Sequence, residues 1–297
     1  MKLEESREKQ TYFFGKGIRV DFSDLLRFVL TLQEVFLNSY KTSFWIGCLA
    51  NHDIRRVLEV SRDVINSPHL GFDEAFKVYA IGSAIHIRPF KIRKALIRGR
   101  YDIYTSDSHK YVHNVFNLNG EVQTSPLVGL RILQALKDAD VKHGETRSRY
   151  ISKADLLSYL CGMSLDRRAI TLWLDALLKR ALVYNYDPTC VDEATATKLE
   201  ISPTGELHLF WGCGDYDYLF AMTETTPIRD ESTFVEMQRT YQEHRENHTY
   251  FFLVADFLHY VISEDRTFAR VPEHESYNGQ LAIIKRLETS AQRFEGR

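Results

Sequence analysis

Between Ser125 and Trp211 the apolar period changes from that of helices to that of strands, and the order of the change restricts the fold more than any other feature. SPLVGLRILQALKDA opens on Ser125-Pro126 and places Leu127, Leu130, Leu133 and Leu136 in one helical stripe. Polar VKHGETRSRY follows as a loop. ISKADLLSYL reads as a short helix with Ser152 as its cap and Asp155 in its first turn. Cys161-Gly162 ends it, and Ser164 is placed to cap a longer helix at 165–182. That helix carries Ile170, Trp173, Leu174, Leu177, Leu178 and Ala181 as its buried stripe. A polar loop at VYNYD leads into TKLEISPTGELHLFW, which alternates apolar and polar residues as a strand does.

Helix, helix, turn, helix and two-stranded hairpin, in that order, resemble a winged helix-turn-helix. The segment Leu177-Leu178-Lys179-Arg180-Ala181-Leu182-Val183 is similar to the "L..L...GLV" entry to a first wing strand. Ile201-Ser202-Pro203-Thr204-Gly205 is similar to the "I-T-P-x-G" ending of the second. The expected architecture is mainly α. A helical lid-like domain spans 1–120, a winged helix with a two-stranded β-wing spans 121–213, and a C-terminal helical region spans 214–297.

Outside the central segment the pattern is helical. Residues 1–13 read as a polar lead-in, and Leu25, Phe28, Leu32, Val35 and Phe36 predict a helix at about 22–38. Further helices are expected at about 40–50, from Asp53 to about Asn66, and at about 72–84, with no strand in this part of the chain. Ser67-Pro68-His69 stops the second of these. After residue 213, Asp215-Tyr216-Asp217-Tyr218 reads as a helix start. ESTFVEMQRTYQEH and NHTYFFLVADFLHYVISEDRTF are amphipathic helices, and LAIIKRLETSAQRF is a short one before a polar tail.

The stretch Ala50-Asn51-His52-Asp53-Ile54-Arg55-Arg56-Val57-Leu58 begins an apolar-periodic helix in which Ile54, Val57, Leu58 and Ile65 share a side. It resembles the sensor-2 helix of AAA+ and STAND-type P-loop ATPases, where "G-D-x-R-x-x-L" opens a helix of the small lid domain. His52 stands where glycine is usual. The resemblance implies that Arg55 points at the terminal phosphates of a nucleotide, because a guanidinium presents fixed donors to phosphate oxygens. The alternative is a helix start with Asp53 offsetting the macrodipole and solvated arginines. Initiator-like AAA+ proteins and many STAND ATPases carry a winged helix after the lid, and this chain follows that order.

The chain contains no G-x-x-x-x-G-K-[ST]; Gly15-Lys16-Gly17 is too short, and no strand is expected before it. An apolar strand ending in paired acids is also missing. The resemblance therefore implies the C-terminal part of a longer ATPase, or a descendant that lost the motor, with no catalytic residue and no cofactor. Ser occurs in no G-x-S-x-G context, and the His residues form no H-E-x-x-H array. Cys48, Cys161, Cys190 and Cys213 are scattered without metal-ligand spacing and read as reduced thiols of a cytoplasmic protein. No apolar run reaches the roughly 18 residues that a membrane helix needs, so no membrane partner is expected.

Two basic features point to nucleic acid. On the helix at 165–182, Arg167, Arg168 and Thr171 lie toward the end that enters a major groove in helix-turn-helix proteins, with Lys179 and Arg180 nearer the backbone. IRPFKIRKALIRGRYDIY carries Arg88, Lys91, Arg93, Lys94, Arg98 and Arg100, followed by Tyr101 and Tyr104, which suits phosphate neutralisation with stacking. It equally suits a solvated helix face or an interdomain contact to an acidic surface. A net charge of −2 excludes a uniformly basic coat but not a local basic face. Double-stranded DNA is the partner on one reading. On the other, Asp166 and Asp175 make the surface mixed, and the chain is a scaffold for an ATPase core, another protein or a second copy of itself.

Overall fold

Side-chain caps set most of the helix starts in the computed structural model, which describes residues 11–14, 18–21, 29, 32–33, 36–37, 39–71, 87–105, 109–117, 122–142, 150–189, 192–243 and 250–296. Eleven α-helices and five short strands are present among these residues, in two compact units, Met1–Ile103 and Tyr104–Arg297. The expected helix at 72–84 lies outside the described residues, as does most of that at 22–38.

The first unit opens on an antiparallel pair, β1 (Thr11–Phe14) and β2 (Ile18–Asp21), in the register Thr11↔Asp21 to Phe14↔Ile18. This corrects the expectation of a lead-in without strands. Gly15-Lys16-Gly17 joins two apolar runs, so a strand does precede it, but a second strand and not a helix follows. Helix α1 (Tyr40–Leu49) starts on Ser39, whose hydroxyl accepts from the Thr42 amide. Helix α2 (Ile54–Ile65) starts on Asp53, whose Oδ1 accepts from the Arg56 amide at 2.9 Å. Asn51 and His52, between them, are both left-handed, with φ of 51° and 59°. A 3-10 turn (Pro68–Leu70) is tied to the end of α3 (Pro89–Arg98) by Ser67 Oγ donating to Gly99 O at 2.5 Å.

The buried stripe of α2 differs from the expected one. Val60 and Val64 are buried, while Ile54 and Leu58 remain 79% and 66% exposed. The helix packs against α1 and α3, and these select one edge of a broad apolar arc. Periodicity identifies the arc but not which edge meets a neighbour.

In the second unit, α4 (Val128–Lys142) is central, with Leu130, Ile132, Leu133 and Leu136 buried. The chain then forms β3 (Ile151–Ser152), α5 (Lys153–Cys161), α6 (Arg167–Lys179), β4 (Val183–Asn185) and β5 (Lys198–Ile201). The strands make an antiparallel sheet of order β3-β5-β4, with Ile151↔Leu199 on one side and Asn185↔Leu199 on the other. Ser152 caps α5 as the sequence predicts. Asp166, not Ser164, caps α6: its Oδ1 accepts from the Ala169 amide at 2.8 Å, whereas Ser164 sits in the left-handed turn, φ 64°.

The alternation of TKLEISPTGELHLFW ends at Ile201. Ser202 caps α7 (Pro203–Gly212), with Pro203 in its first turn where a missing N–H is harmless. Leu207, His208, Leu209 and Trp211 are all buried, so this helix is enclosed on more than one side and shows no single stripe. Helices α8 (Tyr216–Thr223, capped by Asp215), α9 (Glu231–Glu243), α10 (Phe251–Phe268) and α11 (Asn278–Glu295) complete the unit. The last is an 18-residue helix, longer than expected, beginning three residues earlier and ending one residue later than the sequence predicts. Helices α10 and α11 pair along their lengths, and α11 also packs on α4.

Candidate nucleic-acid interface

Helix α6 divides cleanly into two faces. Ile170, Trp173, Leu174, Leu177 and Leu178 are buried. Arg167 and Arg168 are exposed on the first turn, Thr171 is half-buried beside them, and Leu172 is 39% exposed. Neither arginine has an acidic partner among the described residues. Aimed outward from the positive end of a helix, both guanidiniums are free to meet phosphate oxygens or guanine edges.

The other end of α6 is electrically closed. Lys179 Nζ lies 2.6 Å from Asp175 Oδ2, and this hydrogen bond holds the ammonium above its ordinary pKa. Asp175 Oδ1 also accepts from the Glu193 amide at 3.4 Å, and Lys153 Nζ lies 2.7 Å from Glu193 Oε1. The loop between β4 and β5 is thus tied to α6 through Asp175 and to α5 through Lys153, while Lys179 is consumed by Asp175 of its own helix. Arg180 is half-buried where the helix ends, its backbone N–H bonded to Ala176 O.

One cation at the start of β5, where this loop ends, was missed by sequence reasoning. Lys198 Nζ sits 5.5 Å over the ring of Tyr186, which is 64% exposed and meets Tyr150 edge-on at 5.3 Å. The three residues come from the ends of adjacent strands, a juxtaposition that only strand pairing creates. The same loop carries acids. Asp192 Oδ1 accepts from Thr195 Oγ1 at 2.6 Å and from its amide at 2.9 Å, and the hydroxyl bond holds this carboxyl below its usual pKa. Asp187 caps Thr189 in the same way, at 2.7 and 2.9 Å.

The remaining candidates belong to the first unit. Arg55 is exposed on the first turn of α2 and makes no ion pair among the described residues. The basic run on α3 is not one outward face. Arg93 lies 5.7 Å over the Trp45 ring, and Arg98 is buried with Nη1 donating to Asp102 O. Arg100 Nη2 lies 3.6 Å from Asp63 Oδ1, and Lys94 is half-buried. Tyr104, which belongs to the second unit, is buried and donates to Val112 O at 2.9 Å, so it is no stacking platform.

A groove of about 370 Å³ between α9 and α10 is lined by Glu236, Asp256 and His259. Burial raises the Asp256 carboxyl, while Glu236 is held low by Arg239 and His259 Nε2 lies 2.7 Å from Glu295 Oε1. Each group is engaged by a neighbour, and no nucleophile–base pair results. Among the described residues no three His, Cys, Asp or Glu are grouped to hold a metal ion, and no helix is long and apolar enough to cross a membrane. Compared with protein-family models, curated proteins and solved structures, the chain matches none of them.

Proposed function

We propose that this chain is a non-catalytic cytoplasmic regulatory module in which a winged helix contacts double-stranded DNA through the first turn of α6. The observation that carries the reading is the order α4-β3-α5-α6-β4-β5, with β5 between its partners and Arg167 and Arg168 outward on α6. Two backbone details support it. Ala181, in the place of the glycine of the "GLV" pattern, is left-handed at φ 56°. Gly205, matching the glycine of "I-T-P-x-G", lies so close to Leu182 O that a Cβ would stand 2.1 Å from it.

The same proposal relates the first unit to the lid of a STAND/AAA+-type ATPase. His52 occupies the glycine position of the sensor-2 pattern and has φ 59°, a conformation glycine adopts freely. Arg55 follows on an exposed turn and would serve a nucleotide bound by an external P-loop core. Pure chain assayed for ATP hydrolysis is expected to be inactive; turnover that survives purification would overturn the non-catalytic reading.

The direct test titrates labelled duplex and single-stranded DNA at two salt concentrations with the wild type and with Arg167→Ala/Arg168→Ala. Duplex binding that the double substitution abolishes is expected. No binding at low salt, or binding unchanged by the substitution, removes DNA as the ligand of α6. A scaffold that docks protein is then the reading that stands, favoured by the acids Asp187 and Asp192 on the β4–β5 loop.

A further inference from the structure

Helix α10 ends at Phe268, and the chain leaves it extended through Ala269, at φ −114° and ψ 133°. The next residue, Arg270, donates its backbone N–H to Met163 O at 2.8 Å. Met163 stands in the turn between α5 and α6, four positions before Arg167, and four residues span at most about 14 Å. The far end of the same segment is fixed to α5. Tyr159 and Tyr277 stack at 4.5 Å, Tyr159 Oη donates to Ser276 O at 3.0 Å, and Tyr277 Oη donates to Tyr159 O at 3.3 Å. Gly162 permits this approach, since a Cβ there would meet Tyr277 Oη at 2.6 Å.

The C-terminal helices therefore deliver a residue to the entrance of α6. Arg270 is exposed, and its guanidinium has no partner among the described residues. The acids near it are Asp166, engaged as the cap of α6, and the exposed Glu273 and Glu275. Several other cations of this unit are consumed: Lys153 by Glu193 of the β4–β5 loop, Lys179 by Asp175 of its own helix, Arg229 by Glu264 and Arg266 by Glu288. At the α5–α6 turn three arginines instead remain open, two from α6 and one from a segment about a hundred residues later.

We infer that Arg270 is a third phosphate contact to duplex DNA, held beside Arg167 and Arg168 by the segment 269–277. The inference rests on the DNA reading of α6. Phosphate contacts fix the register of a helix on the duplex and carry no base preference. Each releases counterions and adds about −0.9 to the slope of log affinity against log salt.

The test measures anisotropy of a short labelled duplex with the intact chain from about 50 to 200 mM salt, the range over which such contacts are resolved. Arg270→Ala is compared with Arg167→Ala/Arg168→Ala and with Lys285→Ala, an exposed cation on α11. Arg270→Ala should flatten the slope by about 0.9, so that its affinity falls about threefold less than wild type across that range. The loss should be equal for unrelated duplex sequences, and Lys285→Ala should behave as wild type. If Arg270→Ala matches Lys285→Ala while the α6 double variant loses binding, the Arg270 inference alone fails. No duplex binding by the wild type removes the DNA reading and this inference together. Equal affinity for a polyglutamate chain would assign the three arginines to acidic protein segments and overturn the phosphate role.

Discussion

Arg131 Nε lies 3.0 Å from Asp265 Oδ1 and Nη2 lies 2.5 Å from Oδ2, with both side chains no more than 2% exposed. Ser125 Oγ donates to the same carboxylate at 2.5 Å, and Gln280 Nε2 donates to Arg131 O at 3.0 Å. One forked pair thereby fixes α4, the central helix of the second unit, to α10 and α11. Removing either partner strands a buried charge, so Arg131→Ala or Asp265→Ala is expected to cost about 3–5 kcal/mol in urea unfolding. Replacing both at once, as Arg131→Met/Asp265→Leu, should restore most of that loss. A double variant as unstable as the singles would show that the pair does more than satisfy itself.

Gly205 and Ala181 are expected to respond oppositely to exchange. A methyl at Gly205 would press on the Leu182 carbonyl, Ile201 and Leu133, and the backbone oxygen has nowhere to move. Gly205→Ala should destabilise by about 1–3 kcal/mol or more. Ala181 holds the left-handed position just past the end of α6, where a Cβ is a burden. Ala181→Gly should leave stability unchanged or raise it by up to about 1 kcal/mol, because relieved strain outweighs the added freedom of the unfolded chain. Thermal unfolding of the two variants separates these outcomes.

His208 makes the stability of this unit depend on pH. Its Nδ1 lies 2.8 Å from Thr204 O and its Nε2 accepts from the His113 amide at 2.9 Å, an arrangement only the neutral ring satisfies. Complete burial pushes its pKa from 6.5 down to about 4. Above about pH 6.5 both folded and unfolded chains hold it neutral, and the full stability is present. Between about 6.5 and 4 the unfolded chain binds a proton that the folded one refuses, so stability falls, by roughly 3 kcal/mol in all. Below about 4 this contribution levels off. His208→Gln should flatten that part of a denaturation-versus-pH profile; a variant with the wild-type slope would place the titrating group elsewhere.

Arg98 and Arg100 should differ although they look alike in the sequence. Arg98 is buried and donates to the Asp102 carbonyl, so Arg98→Ala should cost about 1–3 kcal/mol of the first unit's stability. Arg100 makes a loose, exposed pair with Asp63 at 3.6 Å, and Arg100→Ala should cost less than about 1 kcal/mol. Equal losses by calorimetry would contradict the assigned burial.

Several elements were legible because their signals are local. The stripe of α6 repeats over three turns against an exposed charged face, and Ser152, Asp53 and Asp215 each cap the helix they announce. Where two local signals competed, position alone could not choose. Ser164 and Asp166 both suit a cap, and the left-handed turn at Ser164 gave the role to Asp166. The segment 203–211 alternates like a strand because it is buried on several sides, which erases the helical stripe.

Charge was the least legible property. Lys179 and Arg167 read alike along the sequence, but Asp175 consumes one and nothing among the described residues consumes the other. The chain by itself determined where α2, α5 and α8 begin, which positions of α6 face inward, and that cations cluster at two places, because neighbours within one or two turns set these. Only the tertiary structure decided that Asp265 meets Arg131, that Lys198 meets Tyr186, and that Arg270 stands beside the start of α6. Those encounters join residues far apart in sequence, and their partners are chosen by packing rather than by period.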